Sequence, residues 1–305
     1  MTREEEIKKI KDELSALYSK ALVKEDYKKA VKLTGKYTVT LGASRESPDT
    51  IVSTILDGLW SEYYLLLKFP EIIEDEEVEN NDNFVEKIEK LISHVVEPAN
   101  KAELLYLASV TWSHLLNDQE NAEWCNSELQ KLISSGKVSV NLILKGINSR
   151  VIKEMGAKNW REAIVVADEI NKFSEEVITH SGNLGTSANI RNNRGASMNR
   201  GKIDPVEGAI DLLQAAIYYS FQDKPAAKHF KGLPDRLRES LDNMLSKESV
   251  MGSPNKEIFA LIEKARNILQ PVSEQIEKGQ ASREYFEMLA ISISDIREKI
   301  IKLKQ

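Results

Sequence analysis

An all-α chain of antiparallel helical hairpins stacked in series as a solenoid is what this sequence predicts, and three observations carry that expectation. Glycine and proline are scarce, 14 and 8 in 305 residues, about 7% together against a usual ~12%. Apolar residues recur at spacings of three and four over long stretches, the period of a helix with one buried face. No run alternates apolar and polar residues for long enough to demand a sheet.

The first helix is expected over Glu4–Lys24, with Ile7, Ile10, Leu14, Leu17 and Ala21 on one face. Asp26 is then expected to cap a second helix beginning at Tyr27. Ser47-Pro48 reads as an N-cap followed by the first helical position, opening a helix that reaches about Phe69 and stops at Pro70. Glu71–Asn83 has little apolar periodicity and repelling charges, so a loop or frayed helix is expected there. Helical spacing resumes at Phe84–Val96, is interrupted by Pro98, and continues through Ala102–Leu116, Asp118–Ile133, Val140–Met155 and Asn159–Glu176. A break at Ser181–Gly185 precedes a helix over Thr186–Asn199, and Asp204-Pro205 starts the next, through Tyr219. After Gln222 a short irregular stretch leads to helices at Asp235–Leu245, from a Gly252-Ser253-Pro254 cap to about Gln270, and at Ser282–Lys304. The domain expectation is a repeat array over 1–222, with an acidic connector at 71–83, and a C-terminal helical segment over 223–305 packed on or capping the array.

Several second helices of the hairpins open alike. Asp26-Tyr27-Lys28-Lys29-Ala30-Val31, Asn159-Trp160-Arg161-Glu162-Ala163-Ile164 and Asp204-Pro205-Val206-Glu207-Gly208-Ala209-Ile210 share a capping residue, an entry residue and a small alanine, and Asp118–Ala122 is a weaker fourth. The cap satisfies free amides at the helix start, and the alanine lets two helices approach closely. Around Asn192-Asn193-Arg194-Gly195-Ala196, Gly201, Glu207-Gly208-Ala209-Ile210-Asp211 and Ala216-Ile217, the segment Thr186–Tyr219 resembles a tetratricopeptide repeat. The segment departs from that pattern at Arg191, where the family carries a large aromatic, at Met198 in place of a tyrosine, and in an extra residue between Gly201 and Asp204. Repeat spacings of 41 to 46 residues between the alanines exceed the family's roughly 34, which calls for longer helices or inserted loops. The resemblance implies a right-handed superhelix of hairpins whose first helices line a concave groove, binding a peptide or partner protein without catalysis.

The charge is uneven. The chain has 48 acids and 42 bases, net −6. Nine acids and one base lie between Glu71 and Glu89, so the remainder is slightly basic. Val177–Ile203 holds no acid but contains Arg191, Arg194, Arg200 and Lys202, with Asn183, Asn189, Asn192, Asn193 and Asn199. Amides can pair with an extended peptide backbone, and guanidinium groups can hold a carboxylate or phosphate in two-point fashion. The candidate partner-binding residues are therefore Asn189, Asn192, Asn193, Arg194, Asn199 and Arg200. The resemblance places Asn189, Asn192, Asn199 and Arg200 on the groove and Arg191 and Arg194 nearer the hairpin interface. The competing reading pairs Arg194 within its own repeat.

Function classes narrow accordingly. The expected partner is a protein or peptide, with an acidic segment among the candidates. RNA or another phosphate-bearing molecule at Arg191–Lys202 is the alternative, and a homo-oligomer stays open. His94, His114, His180 and His229 show no metal-ligand spacing, and no nucleophile, acid–base or nucleotide-loop pattern appears, so no enzyme, cofactor, catalytic residue or metal is expected. Cys125 alone rules out an intramolecular disulfide framework and reads as a buried structural thiol. The aromatic helix with Trp60, Tyr63 and Tyr64 is expected to be buried rather than a partner face. The polar N-terminus and the shortness of the apolar run at Leu65–Leu67 give no signal peptide or membrane span, so the expectation is a cytoplasmic protein with no membrane partner.

Overall fold

The structure, a computed structural model, describes residues 2–21, 23–74, 80–251 and 256–305. The described residues are all-helical, with no strand. They fall into two compact units, Met1–Ile143 and Leu144–Gln305.

In the first unit, α1 (Arg3–Lys20) and α2 (Lys24–Ala43) pack on α3 (Pro48–Lys68). Asp26 does not cap α2. The helix starts two residues earlier with Val23 in the cap position, so Asp26 lies in its first turn, where a negative charge suits the helix dipole. Ser47 caps α3 as expected, accepting from the Thr50 amide. α3 is buried over most of its length, and Trp60, Tyr63 and Tyr64 join Tyr18, Tyr27 and Tyr106 in one aromatic core. Gly58 is required there, because an added Cβ would fall 1.8 Å from Thr34 Oγ1 of α2. Glu62 is buried on the same helix and paired with Lys87 at 2.9 Å.

The two ends of the expected connector at 71–83 are helical. Pro70–Glu74 forms a 3-10 turn, and α4 (Asn81–His94) takes in the last residues of the stretch, with Asn80 capping the Asn83 amide. Residues 75–79, the centre of that expectation, lie outside the described residues. α5 (Pro98–His114) begins with its proline at the first position, so Pro98 opens a helix where the sequence pattern suggested only an interruption. α5 packs on α4 and on α6 (Gln119–Ser134). Cys125 is buried on α6, and burial, helped by Glu89, pushes its thiol up to about 12. At neutral pH it stays a protonated, packed side chain.

α7 (Val140–Gly156) spans the division between the units. In the second unit the expected single helix at Asn159–Glu176 is broken into α8 (Trp160–Asp168), a 3-10 turn at Glu169–Lys172 and α9 (Glu175–Thr179). Two adjacent acids mark the break: Asp168 turns to Arg194 at 2.7 Å, and buried Glu169 turns to buried Arg150 at 2.6 Å. α10 (Ser181–Arg200) and α11 (Pro205–Ser220) form the central hairpin. The glycines expected to break the chain at 182 and 185 lie inside α10, because His180 supplies the start by accepting from the Gly182 amide.

α12 (Ala227–Lys231), α13 (Leu233–Met251), α14 (Lys256–Leu269), α15 (Val272–Glu277) and α16 (Arg283–Lys304) complete the unit. The expected Gly252-Ser253-Pro254 cap lies outside the described residues. One hydrophobic core runs from Leu184 through α11 to Phe230, Leu237, Ile262, Phe286 and Ile300. The expected boundary at 222/223 therefore runs through a continuous core. The Pro/Gly punctuation near Pro225 and Pro234 marks turns within that core, because Phe230 and Leu233 beside them are buried in it.

Among the described residues, four other than glycine adopt left-handed backbone: Arg45, Asn117, Lys158 and Lys202, with φ between 51° and 60°. Each lies one or two residues before the cap of the following helix. At three of them the next amide bonds back five residues, Glu46 to Leu41, Asn159 to Glu154 and Ile203 to Met198, at 2.9 to 3.1 Å. That is a left-handed helix ending, used repeatedly.

Candidate polar face on α10

α10 and α11 cross at backbone contact. A Cβ on Gly195 would lie 2.6 Å from the Gly208 carbonyl and 2.9 Å from Leu212. Ala30, Ala122, Ala163 and Ala209 are each no more than 2% exposed, which fits close packing at these positions. This tight crossing fixes which residues of α10 turn inward.

Arg194 turns inward. It donates to Asp168 Oδ1 at 2.7 Å, to Asp211, and to Glu207 at 3.5 Å. Burial drives Asp211 up to about 6, against the pull of Arg194 and Arg191. Burial likewise opposes the Arg194 charge, but Asp211 and Asp168 hold it above the usual guanidinium value. Arg191 lies 3.6 Å from Asp211 and donates to Asn171. Lys304 from α16 reaches Asp204 and Glu207 at 3.0 and 2.7 Å. This network ties α8, α10, α11 and α16 together. Arg194 therefore pairs with Glu207 and Asp211 inside the segment Thr186–Tyr219 and with Asp168 outside it.

Asn199 also departs from the groove expectation. It is 1% exposed, and its side-chain amide donates to Ser240 Oγ at 2.7 Å and to the Arg236 carbonyl at 3.1 Å. Its own carbonyl accepts from Asn243. The physical reason is α13, whose packing against this end of α10 the sequence pattern did not reveal. Asn199 is a buried tether between two helices.

The remaining candidates share an outward, half-exposed face. Asn189 accepts from the Tyr219 hydroxyl at 2.7 Å. The Asn192 amide opposes, weakly, the rise in the Tyr219 hydroxyl's pKa that burial causes, and its Oδ1 has no partner among the described residues. Asn193 donates to Asn148 Oδ1 at 3.1 Å. Arg200 is exposed. Sequence reading missed the residues that frame this face. Tyr219 is stacked on His229, with ring centroids 4.7 Å apart, and the half-buried Arg236 interacts electrostatically with Tyr219 and with Arg200. Asn148 could have been found by register: it stands fifteen residues before Ala163, as Asn193 stands sixteen before Ala209.

Among the described residues no group of three or more His, Cys, Asp or Glu side chains is placed to hold a metal ion. No described helix is long and apolar enough to cross a membrane. No protein-family model, curated protein or solved structure matches the chain.

Proposed function

We propose that this protein is a non-enzymatic adaptor of tetratricopeptide-like architecture that holds an extended peptide segment of a partner protein along the α10 face. Asn189, Asn192 and Asn193 would meet the peptide backbone, and Arg200 would meet an acidic group. The hydrogen-bonded pair Asn148–Asn193 carries this reading. These two asparagines, on α7 and α10, stand fifteen and sixteen residues before Ala163 and Ala209 and lie side by side as a pair of amides. Such a pair matches the alternating donors and acceptors of an extended chain. The recurring left-handed turns at Asn117, Lys158 and Lys202 support stacked hairpins. The nucleic-acid alternative is weakened because the acids of α8 and α11 occupy Arg191 and Arg194. Of the four bases in this stretch, Arg200 and Lys202 are the ones without an ion pair among the described residues.

The test is quantitative affinity capture comparing the wild type with Asn192→Ala/Asn193→Ala/Arg200→Ala, with thermal melting to check folding. The expected outcome is selective loss of specific protein partners at unchanged melting temperature. A partner set unaffected by the triple substitution removes the proposed site.

A further inference from the structure

The end of α11 and the start of α16 enclose a cavity of about 300 Å³. One wall comes from residues 220–225 and the other from residues 281–287. None comes from α10, so the cavity is apart from the face proposed above. Three charged side chains line it: Asp223, Arg283 and Glu287. Arg283 and Glu287 answer each other, with Nε 3.2 Å from Oε1. Asp223 forms no ion pair among the described residues, although Arg283 lines the same cavity. Lys224, the next base along the chain, is not a wall residue. The cavity therefore carries one unanswered negative charge.

The uncharged walls share that bias. Phe286 is 7% exposed and Phe221 is 55% exposed, so one ring backs the cavity and the other is open to solvent. The face of an aromatic ring is negative and attracts a cation. Ser220 donates its hydroxyl proton to the Ala216 carbonyl, which leaves its oxygen as an acceptor. The helix ends do not decide the sign, because the end of α11 favours a cation and the start of α16 an anion. We infer that this cavity binds an organic ammonium group, with Asp223 as its counter-ion and the Phe221 and Phe286 rings against its carbon atoms. An anion would meet two carboxylates and a guanidinium already held by Glu287. A neutral molecule would leave Asp223 unanswered. A bare metal ion would need several oxygen ligands, and one free carboxylate does not supply them. The volume is that of a small ligand site, which suits a compact alkylammonium.

The experiment is an NMR titration of the full chain with butylammonium, butan-1-ol and butyrate at constant ionic strength. These three probes differ in charge and little in size. Butylammonium is expected to bind at least about tenfold more tightly than butan-1-ol, with amide shifts centred on residues 220–225 and 281–287. Butyrate is expected not to bind. Asp223→Asn, at an exposed position, should erase the preference for the cation. Phe221→Leu should reduce it severalfold. Arg283→Gln, which frees Glu287, should strengthen it. Nα-acetyl-lysine methylamide is titrated in parallel. Affinity equal to that of butylammonium assigns the site to a lysine side chain of a partner, and weaker binding assigns it to a free amine. Equal binding of butylammonium and butan-1-ol, tighter binding of butyrate, or a cation preference that survives Asp223→Asn would overturn the inference.

Discussion

Arg194 and Arg200 stand six positions apart on one helix and have opposite physical roles. Arg194 is held by three acids and is 12% exposed. Its removal leaves the nearly buried Asp211 without its closest partner. Arg194→Ala should therefore cost about 3–5 kcal/mol, whereas Arg200→Ala should change stability by less than about 0.5 kcal/mol. Urea unfolding of the two variants measures both. His229 gives a pH prediction. Burial, with Lys228, lowers its pKa below 6.5, and its Nδ1 has no partner. In the window below pH 6.5 the unfolded chain binds more protons at this site than the native one. This contribution is full above 6.5 and is lost as pH falls through the lower folded value. The effect is small because the ring is partly solvated. His229→Phe, which keeps the stack on Tyr219, should flatten the stability profile below about pH 6.5. An unchanged slope would remove His229 as its source. At this scale the sequence showed that Asn189, Asn192, Asn193 and Arg200 recur at helical spacing, and the structure leaves these four half-buried or exposed on α10; Asn148, bonded to Asn193, was not picked out. Asn199 was misplaced because its partners, Ser240 and Arg236, lie some forty residues away on a helix with no visible tie to it.

The hairpins depend on contacts that single residues decide. Gly195→Ala would drive a Cβ to 2.6 Å from the Gly208 carbonyl, a backbone atom that cannot rotate away. A loss of about 1–3 kcal/mol is expected. Lys202→Gly has the opposite sign. Lys202 sits at φ 51°, where a side chain is disfavoured, so glycine should raise stability by about 1 kcal/mol. Differential scanning calorimetry of both variants checks the contrast. Long periodic elements were legible from the sequence, and the caps Ser47, Asp118 and Asp204 bond helix amides, whereas Asn159 makes no side-chain cap bond. The break at Glu169 was not legible. It accompanies tertiary ion pairs to Arg150 and Arg194, which leave no trace in local periodicity.

At the scale of the whole molecule the division falls at Ile143/Leu144, within α7. The C-terminal helices pack on the α10–α11 hairpin and share its core, so no break in the core falls at Gln222. Punctuation by proline and glycine suggested a boundary, but long-range burial of Phe230, Leu237 and Phe286 governs the observed one. A fragment of residues 139–305, which keeps α7 whole, should melt in one cooperative transition. A fragment of residues 1–222, which removes most of that core, should lack the order of the α10–α11 hairpin by amide exchange. The polar face belongs to the unit that the first fragment preserves. Photocrosslinking tests that face most directly, with a benzophenone amino acid placed in turn at Asn189, at Asn193 and at Val39, which is 73% exposed on the other unit. The expected result is that 189 and 193 crosslink to the same short segment of a partner protein and 39 does not. Crosslinks that are identical at all three positions, or only to RNA, would contradict peptide binding on α10.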